Sequence, residues 1–500
     1  SIQLLKRSNT MLPVPIQLDK NKSEAMYLQI ANQVATMIQH QQLEGGRSLP
    51  SIRKLATLLE VNNVTIVSAY KHLETLGLVI AKKGSGYYVK EKQIIPPSIP
   101  SPKLSMQQIT SQHLHLEHNQ INFASATPEP SIFPIASFKH YLNYVLDRDQ
   151  GYAFGYQESN GYEPLRESLC QYLKRHQKLE VSPNSIQIVS GAQQGIDIIG
   201  KTLLGSGDCV FVEDPTYTGA LAVFKSRDVL IKGISLEEDG LNFSELEAAL
   251  LTVRPKLLYV MTKYQNPSTV TYSLKKMKRL IELAQLYDFY IVEDDSMSEL
   301  NYEPDASNIS FKSLDQNERV IYIKSFSKIM MPGLRIGFIL VPSPLSTDIM
   351  NAKHHTDISS SGLIQRTVDL YLREGQWDEH INQMRIIYKK KYDIMVQELN
   401  KLKAYDVKFH IPHGGLHFWI QLPPHLNANE LYDLCLSHSL ITTPGKLFSP
   451  TEDTHLNQYM RLSFAACTEA DIIKGIDILK QCLHLMNNKK KQSTYISPLI

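Results

Sequence analysis

The sequence has few of the features that mark secreted, disulfide-bonded or membrane-spanning chains. It holds five cysteines in 500 residues. This odd number without a C-x-x-C pair argues against a disulfide framework or a thiolate zinc site. No apolar run reaches the roughly 20 residues of a transmembrane helix, and the start lacks the apolar core of a signal peptide. We therefore expect a soluble cytoplasmic protein with reduced thiols and no membrane contact.

The histidine pattern does not indicate a metal site either. His413 and His417 are four residues apart, but the Gly-Gly turn between them leads into a strand-like run. They therefore do not share a helix face, as a zinc-binding pair of this spacing would. His354 and His355 are interpreted as structural or solvent-facing, and no metal is expected.

Charge is nearly balanced overall but is unevenly distributed. Residues 1–95 hold twelve Lys and Arg against six Asp and Glu, so that the remaining residues hold 40 against 44. A basic first segment on a mildly acidic body indicates a polyanionic partner for the N-terminus alone. A solvated surface would explain the charge equally well.

A chain of this length exceeds one hydrophobic core, so two or more domains are expected. Four prolines fall within the seven residues from Pro96 to Pro102, a density that favours an extended spacer over a helix. We predict a first domain over residues 20–90, a proline-rich linker over 91–120 and a large domain over 121–486.

Residues 27–90 carry the pattern of two helices, a third helix and a hairpin. An apolar stripe predicts a helix from Tyr27 to His40. Pro50-Ser51 opens a short helix that ends near Glu60, and Asn62 is a candidate N-cap for a helix over Val64–Leu76. Two helices joined by so short a turn predict a helix-turn-helix. The run over residues 78–89 predicts a β-hairpin with a basic, glycine-rich tip.

This run resembles the winged helix-turn-helix of GntR-type repressors. The shared features are Leu-Pro-Ser-x-Arg at residues 49–53, Thr65 in the third helix, Ala69-Tyr70 with Leu73, and Gly-Ser-Gly in the wing. One departure is Asn63, where the turn often carries an arginine. The resemblance implies that DNA is bound by residues of the second and third helices and of the wing, namely Arg53, Lys54, Thr65, Lys82, Lys83, Gly84 and Ser85.

Past residue 122, strand-like apolar runs alternate with helical stretches. Continuous apolar strands between helices predict a buried, mostly parallel sheet with ligands at the carboxyl ends of its strands. The overall prediction is a two-domain α/β protein. The predicted strands are Ile186–Val189, Cys209–Val212, Leu257–Met261, Tyr290–Glu293 and Val320–Lys324.

Lys328 is the most informative residue of the large domain. It follows a β-branched strand in a polar turn that also offers the hydroxyls of Ser325 and Ser327, and Arg335 lies seven residues beyond it. An amine that can condense with an aldehyde, beside hydroxyl and guanidinium donors for a phosphate, is what a Schiff-base site requires.

Other polar residues follow the remaining strands, each with an ordinary alternative reading. The turn before Ala192 and Gln193 could cradle a phosphate at a helix start, although many α/β turns look alike. Tyr217 could stack on a ring or belong to the core. Asn266 could donate to a ring hydroxyl or simply occupy a turn. Asp294 could keep a pyridine nitrogen protonated or cap a helix.

Taken together, the order and spacing of these residues resemble fold-type I aminotransferases from about residue 120 to 485. With its N-terminal segment, the chain resembles a MocR/GabR-type regulator of the GntR superfamily. The resemblance implies pyridoxal 5′-phosphate on Lys328, Asp294 at its ring nitrogen, Asn266 at the ring hydroxyl and Tyr217 stacked on the ring. It implies phosphate contacts from Ala192, Gln193, Ser325, Ser327 and Arg335, a partner-subunit contact from Tyr156 in a homodimer, and a carboxylate contact from Arg461.

Three positions depart from the aminotransferase pattern. Ser296 and Met297 stand where a tyrosine usually reaches the ring oxygen, Thr269 replaces a turn glycine, and Ala126 replaces a glycine that lines the substrate site. Loss of the tyrosine removes a hydrogen bond that tunes the cofactor, which suits a sensor better than a fast catalyst.

Two functions remain open on this reading. A transcription regulator that senses an amino compound, or pyridoxal phosphate itself, explains both parts of the chain. A working aminotransferase with an accessory DNA-binding domain explains the large domain but not residues 20–90. We favour the regulator and expect a degenerate aminotransferase-like domain rather than an enzyme, although such a domain could retain half-transamination.

Overall fold

The chain divides into two compact units, residues 1–105 and residues 106–500. The structure is a computed structural model that describes residues 16–19, 24–39, 42–43, 45–82, 85–90, 120–303, 309–451 and 453–494. We call the described part of the first unit the head and that of the second the large unit. No helix among these described residues is both long and apolar enough to cross a membrane.

Three helices and a hairpin build the head. They are α1 (Met26–Gln39), α2 (Ile52–Leu59), α3 (Asn63–Thr75), β1 (Val79–Lys82) and β2 (Gly86–Val89). The predicted N-cap Asn62 is confirmed, and Ser51, predicted only to open a helix, also caps one. Ser51 Oγ accepts a hydrogen bond from the Lys54 backbone N–H, and Asn62 Oδ1 accepts one from that of Val64, so orphan donors at both helix starts are satisfied.

The head has its own apolar core, which fixes α3 against the other helices. Ile30, Val34, Ile66 and Leu73 are fully buried. The hydroxyl of the buried Tyr70 in α3 donates to the Pro50 carbonyl at 2.9 Å, which ties α3 to the start of α2. The segment before α2 also pairs with β2 through Ser48 and Tyr88, so the hairpin is anchored to the helices.

The large unit alternates helices and strands from residue 120 onward. Its helices are α4 (Ile135–Asp149), α5 (Glu163–Gln177), α6 (Ala192–Leu203), α7 (Thr218–Ser226), α8 (Phe243–Thr252), α9 (Leu274–Leu286), α10 (Phe311–Leu314), α11 (Ser346–Asp357), α12 (Gly362–Arg373), α13 (Gln376–Asn400), α14 (Ala428–Ser437) and α15 (Glu469–Thr494). Its strands are β3 (Ile121–Asn122), β4 (Ile186–Val189), β5 (Cys209–Asp214), β6 (Leu230–Glu237), β7 (Gly240–Leu241), β8 (Leu257–Val260), β9 (Tyr290–Asp295), β10 (Val320–Ser325), β11 (Gly337–Leu340), β12 (Lys408–Phe409), β13 (His417–Gln421), β14 (Leu440–Ile441), β15 (Thr443–Pro444) and β16 (Tyr459–Ser463).

Eight of these strands form one mostly parallel sheet in the order β4-β11-β10-β9-β8-β5-β6-β7. Only β11 and β7 pair antiparallel with their neighbours. Alternate side chains of each strand enter different cores: Val210 and Val212 pack with α6, α7 and α11, whereas Phe211 packs with α8 and α9. The sheet is therefore covered by helices on both faces, as continuous apolar strands predict.

A second, antiparallel sheet of β12, β13, β16 and β15 lies within the same unit. Its buried face joins α13, α14 and α15 in a common core through residues such as Phe418, Leu462 and Leu479. The sequence reading did not predict this sheet, nor β6 and β11 of the large sheet. The five strands that it did predict are all present.

Candidate functional site

A cavity of about 220 Å³ opens at the carboxyl ends of the parallel strands. Parallel strands end at the same edge of a sheet, so the loops after β4, β5, β8, β9 and β10 converge there. Its lining includes most of the residues predicted for the cofactor: Ala192, Gln193, Tyr217, Asn266, Asp294, Ser325, Ser327, Lys328 and Arg335. It also includes Thr127, Met261, Ser296 and Pro332.

Lys328 is half-buried at the base of this cavity, in the turn that follows β10. Burial and then the charge of Arg461 lower the pKa of its amine from 10.5 to about 8, while Asp294 opposes the shift. An amine with this pKa has a substantial neutral fraction near neutral pH, and the neutral form is the nucleophile.

Asp294 is buried near the end of β9 and lines the cavity, and one of its two carboxylate oxygens has no hydrogen-bond partner among the described residues. Tyr259 donates its hydroxyl hydrogen to Asp294 Oδ2 at 2.6 Å. Asp294 Oδ1 is buried and has no hydrogen-bond partner among the described residues. Burial raises the pKa of this carboxyl to about 6. An unsatisfied buried carboxylate oxygen is costly and indicates a ligand that donates a hydrogen bond there.

A set of hydrogen-bond donors around the start of α6 also lines the cavity. Gly191 precedes this helix at a φ of +84°, and a side chain there would collide with the Arg335 guanidinium, 2.8 Å from the ideal Cβ position. Arg335 Nη2 donates to the Ser190 carbonyl at 2.6 Å. Ser327 Oγ is buried without a partner among the described residues. Helix-start N–H groups, a guanidinium and a free hydroxyl together suit a phosphate.

Arg461 of the second sheet is bonded to the cavity residue Asn266 but is not itself among the lining residues. Its Nη1 donates to Asn266 Oδ1 at 2.8 Å and its Nη2 to the Ala124 carbonyl at 2.6 Å. The Nε hydrogen has no partner among the described residues, and the guanidinium lies 5.1 Å from the centre of the Phe448 ring. Burial lowers the pKa of Arg461 to about 10.

Tyr156 is the one predicted cofactor residue that the structure does not bring to this cavity. Its side chain is 85% exposed, beside the exposed aromatic rings of Tyr152 and Phe154. The mouth of the cavity is also open, since Gln193 and Arg335 are exposed.

The departures from the aminotransferase pattern have distinct structural outcomes. Thr269 adopts a φ of +68°, so the left-handed conformation normally given to glycine is kept with a β-branched residue, at a cost of about 1–2 kcal/mol. Ser296 lines the cavity, whereas Met297 is buried in the apolar core. Ala126 is half-buried and is not among the lining residues.

The predicted DNA-contacting residues that the structure describes lie in α2, in α3 and in the hairpin of the head. Arg53, Lys54, Lys82 and Ser85 are exposed, and Thr65 is half-buried near the start of α3. Lys82 Nζ lies 4.6 Å from the centre of the Tyr88 ring, which orients it on the hairpin. Two further predicted residues, Lys83 and Gly84, lie outside the described residues.

A buried ion cluster lies behind the cavity, and the sequence reading missed it. Lys324 is fully buried, with its Nζ 3.1 Å from Asp295 Oδ1 and 2.7 Å from Glu299 Oε2. Tyr322 donates to Asp295 Oδ2 at 2.6 Å, and Tyr172 donates to Glu299. Asp294 and Asp295 are consecutive strand residues, so they face opposite sides of β9 and serve separate sites.

Comparison with known proteins gives the family. Residues 114–479 match the aminotransferase class I and II model, and residues 26–89 match the model of bacterial regulatory proteins of the gntR family. The uncharacterized HTH-type transcriptional regulator YdfD of Bacillus subtilis is 30% identical to this chain, and the match covers 91% of this chain and 96% of YdfD. The chain belongs to the GntR-type regulators that carry an aminotransferase domain. The predicted family and two-domain α/β fold are thus confirmed.

Other relatives match only the aminotransferase domain of this regulator. The aromatic-amino-acid aminotransferase 1 of Thermococcus litoralis is 32% identical over 73% of this chain and 88% of its own. The crystal structure of the multiple substrate aminotransferase from Thermococcus profundus superposes with a TM-score of 0.71 at 30% identity, covering 77% of this chain and 96% of that one. The crystal structure of LysN from Thermus thermophilus, complexed with N-(5′-phosphopyridoxyl)-L-leucine, superposes with a TM-score of 0.70 at 29% identity. The match covers 75% of this chain and 94% of LysN.

Membership in this family makes pyridoxal phosphate the cofactor of the regulator's large unit, and the cavity suits it. The partnerless oxygen of Asp294 matches a protonated ring nitrogen, the partnerless hydroxyl of Ser327 matches a phosphate oxygen, and the amine of Lys328 lines the same cavity.

Proposed function

We propose that this regulator binds its own upstream DNA through the head and changes that binding when its cofactor pocket takes up an amino compound or pyridoxal phosphate itself. The observation that supports this most directly is the combination of a cavity that suits pyridoxal phosphate with a gntR-type head in one chain. We assign the DNA-binding domain to residues 20–90, the linker to 91–120 and the ligand-binding domain to 121–486, within the cytoplasm.

In the cavity, each side chain has a defined task. When bound, pyridoxal phosphate supplies an aldehyde carbon for an amine and a ring that withdraws electrons. Lys328 supplies the amine, and Asp294 Oδ1 accepts the hydrogen of the ring nitrogen. Asn266 is assigned to the ring hydroxyl and Tyr217 to the ring face. The phosphate contacts are assigned to Ala192, Gln193, Ser325, Ser327 and Arg335.

Arg461 is assigned to the carboxylate of an amino-acid effector. Its guanidinium is buried beside the cavity residue Asn266, and a planar guanidinium binds a carboxylate through two parallel hydrogen bonds. Such an effector places its amine at the position that Lys328 occupies and its carboxylate at Arg461. An effector shifts the DNA-binding equilibrium only as far as its affinity differs between the two states of the protein.

A homodimer would complete the open end of the cavity. Tyr156 is almost fully exposed in the single chain, with Tyr152 and Phe154 beside it, and contiguous exposed aromatic residues are typical of interfaces. We propose that Tyr156 of each subunit reaches the phosphate site of the other. Two heads would then bind two half-sites of an operator.

The alternative function is that of an aminotransferase with an accessory head. The aminotransferases among the relatives favour it, because they match the same large unit at comparable identity. The replacement of the ring-oxygen tyrosine by Ser296 or Met297 favours the regulator, because a site that lacks this hydrogen bond is less suited to turnover.

The deciding experiment measures DNA affinity and turnover with the same protein. Fluorescence anisotropy on its upstream DNA is recorded alone, with pyridoxal phosphate, and with a panel of amino acids and amines. Arg53→Ala should weaken binding, since exposed cations displace counterions, while Lys71→Ala, which removes an equal charge six residues beyond Thr65, should have a smaller effect. Multiple-turnover conversion of a keto acid, with no ligand effect on DNA affinity, would establish the alternative.

A further inference from the structure

Asp294 and Asp295 each accept a hydrogen bond from a buried tyrosine of a neighbouring strand. Tyr259 of β8 donates to Asp294 Oδ2, and Tyr322 of β10 donates to Asp295 Oδ2, both at 2.6 Å. Both tyrosines are fully buried. The two pairs therefore have the same geometry on opposite faces of β9.

The two carboxylates differ in what binds their second oxygen. Asp295 Oδ1 accepts the Ser298 backbone N–H at 3.1 Å and lies 3.1 Å from Lys324 Nζ, so this carboxylate is held on every side by the protein. Asp294 Oδ1 has no partner among the described residues and belongs to a residue that lines the cavity. Tyr259 is the only side-chain donor to Asp294 among the described hydrogen bonds.

Tyr259 is held where it can act as a fixed donor. Its strand pairs in parallel with β9, with Tyr259 opposite Val292, two residues before Asp294 on the same face. Its ring packs edge-on against Phe224 with centroids 6.1 Å apart. Burial and the charge of Asp294 hold the pKa of the Tyr259 hydroxyl well above 10, so it keeps its proton throughout the physiological range.

We propose that Tyr259 is a positioning residue of the cofactor site: its hydroxyl fixes Asp294 Oδ2 so that Oδ1 alone faces the cavity and accepts the hydrogen of the cofactor's ring nitrogen. The proposal rests on the role assigned to Asp294 above. Without the hydroxyl, the carboxylate is free to rotate about its last torsion, because no other side chain holds Oδ2. It also becomes a stronger base and withdraws the shared proton from the ring.

The test uses the full-length protein, pyridoxal phosphate as the probe, and two matched variants. Tyr259→Phe and Tyr322→Phe each remove one hydroxyl that donates at 2.6 Å to a buried aspartate. Three quantities are measured: the affinity for pyridoxal phosphate, the pH at which the visible band of the bound cofactor changes, and the stability of the cofactor-free protein. Asp294→Asn and the double variant with Tyr259→Phe complete a thermodynamic cycle.

We expect Tyr259→Phe to weaken cofactor affinity by about tenfold, since hydrogen bonds to charged groups are among the stronger ones. The band transition should move to higher pH, because a less protonated ring withdraws fewer electrons. Tyr322→Phe should lower the stability of the cofactor-free protein but change neither cofactor measurement. In the Asp294→Asn background, Tyr259→Phe should change affinity by less than about twofold.

Two results would overturn the proposal, and they are distinguishable from failure of the proposed function. Equal losses of affinity in Tyr259→Phe and Tyr322→Phe would mean that Tyr259 only stabilises the fold. An undiminished effect of Tyr259→Phe in the Asp294→Asn background would mean that it does not act through Asp294. If Asp294→Asn alone left affinity and band unchanged, the role assigned to Asp294 would be wrong, and with it this proposal.

Discussion

Lys324 and Lys328 lie four residues apart on one strand and the turn that follows it, yet their surroundings give them opposite chemistry. Lys324 is fully buried between Asp295 and Glu299, and these carboxylates outweigh burial and raise the pKa of its amine. Lys328 has Asp294 nearby but also Arg461, and burial with that arginine lowers its pKa to about 8. The residue type is the same, so the neighbours decide whether a lysine is an ion-pair partner or a nucleophile.

The largest contrast between the two lysines is in covalent attachment. Lys328→Ala should abolish the borohydride-stable attachment of pyridoxal phosphate, because it removes the amine that lines the cavity. Lys324→Met should retain that attachment when folded. Mass spectrometry of the reduced proteins measures both, and label on Lys324 or label retained in Lys328→Ala would contradict the assignment.

For the stability of the cofactor-free protein, the substitution of Lys324 should have a larger effect than the same substitution of Lys328. Lys324→Met leaves two buried carboxylates without their cation, which typically costs about 3–5 kcal/mol. Lys328→Met makes the same substitution at a site without a close ion pair and should cost less than about 1 kcal/mol. Urea denaturation of the two variants and the wild type gives the difference. Equal losses would show that Lys324 is not the cation that holds the cluster together.

The rate of cofactor uptake should depend on pH through Lys328. Since only the neutral amine attacks an aldehyde, the rate should rise roughly tenfold per pH unit below about 8 and level off above it. Arg461→Gln should move the plateau to higher pH, because it removes a positive charge that lowers this pKa. Stopped-flow absorbance measures both profiles, and a profile unchanged by Arg461→Gln would show that burial alone sets the pKa.

The smallest expected difference is in how stability changes with pH above 8. The folded-state pKa of Lys328 is below its usual 10.5, so the unfolded chain binds more protons and stability should rise as pH increases from about 8 toward 10.5. The pKa of Lys324 is raised, so its stabilising contribution is present below 10.5 and is lost as pH rises through the folded-state value. The Lys328→Met and Lys324→Met variants should therefore deviate from wild type with opposite slopes, as followed by urea denaturation at several pH values.

The sequence predicted the strands and the cavity-lining residues that carry local signals. Strands β4 and β10 are continuous apolar or β-branched runs, and Lys328 stands in a short motif with Ser325 and Ser327. Strand β6 was not predicted because Lys232, Gly233 and Ser235 interrupt its apolar residues, and only Ile234 of the strand is buried. The small sheet was missed because β12 and β15 have only two residues each, and β13 and β16 mix polar and apolar residues.

Tyr259 and Lys324 show why the buried residues around the cavity could not be predicted from the sequence. In the sequence, Tyr259 resembles an ordinary core ring within an apolar strand, and Lys324 resembles a polar residue at the end of a strand. Their environments depend on distant partners: Asp294 is 35 residues from Tyr259, and Glu299 is 25 residues from Lys324. Such pairings are set by the order of strands in the sheet, which local patterns do not contain.

The hydrogen bonds that Arg461 already makes within the protein determine which of its hydrogens remain available to a ligand. Its Nη1 and Nη2 are already engaged by Asn266 and by the Ala124 carbonyl, which tie the small antiparallel sheet to the loop after β8 and to the segment after β3. The Nε hydrogen has no partner among the described residues, so a carboxylate proposed to bind here can take that hydrogen without breaking a bond. A second hydrogen taken from one of the existing bonds would gain only the difference in free energy. Arg461 thus joins two parts of the large unit and still offers a hydrogen to a ligand.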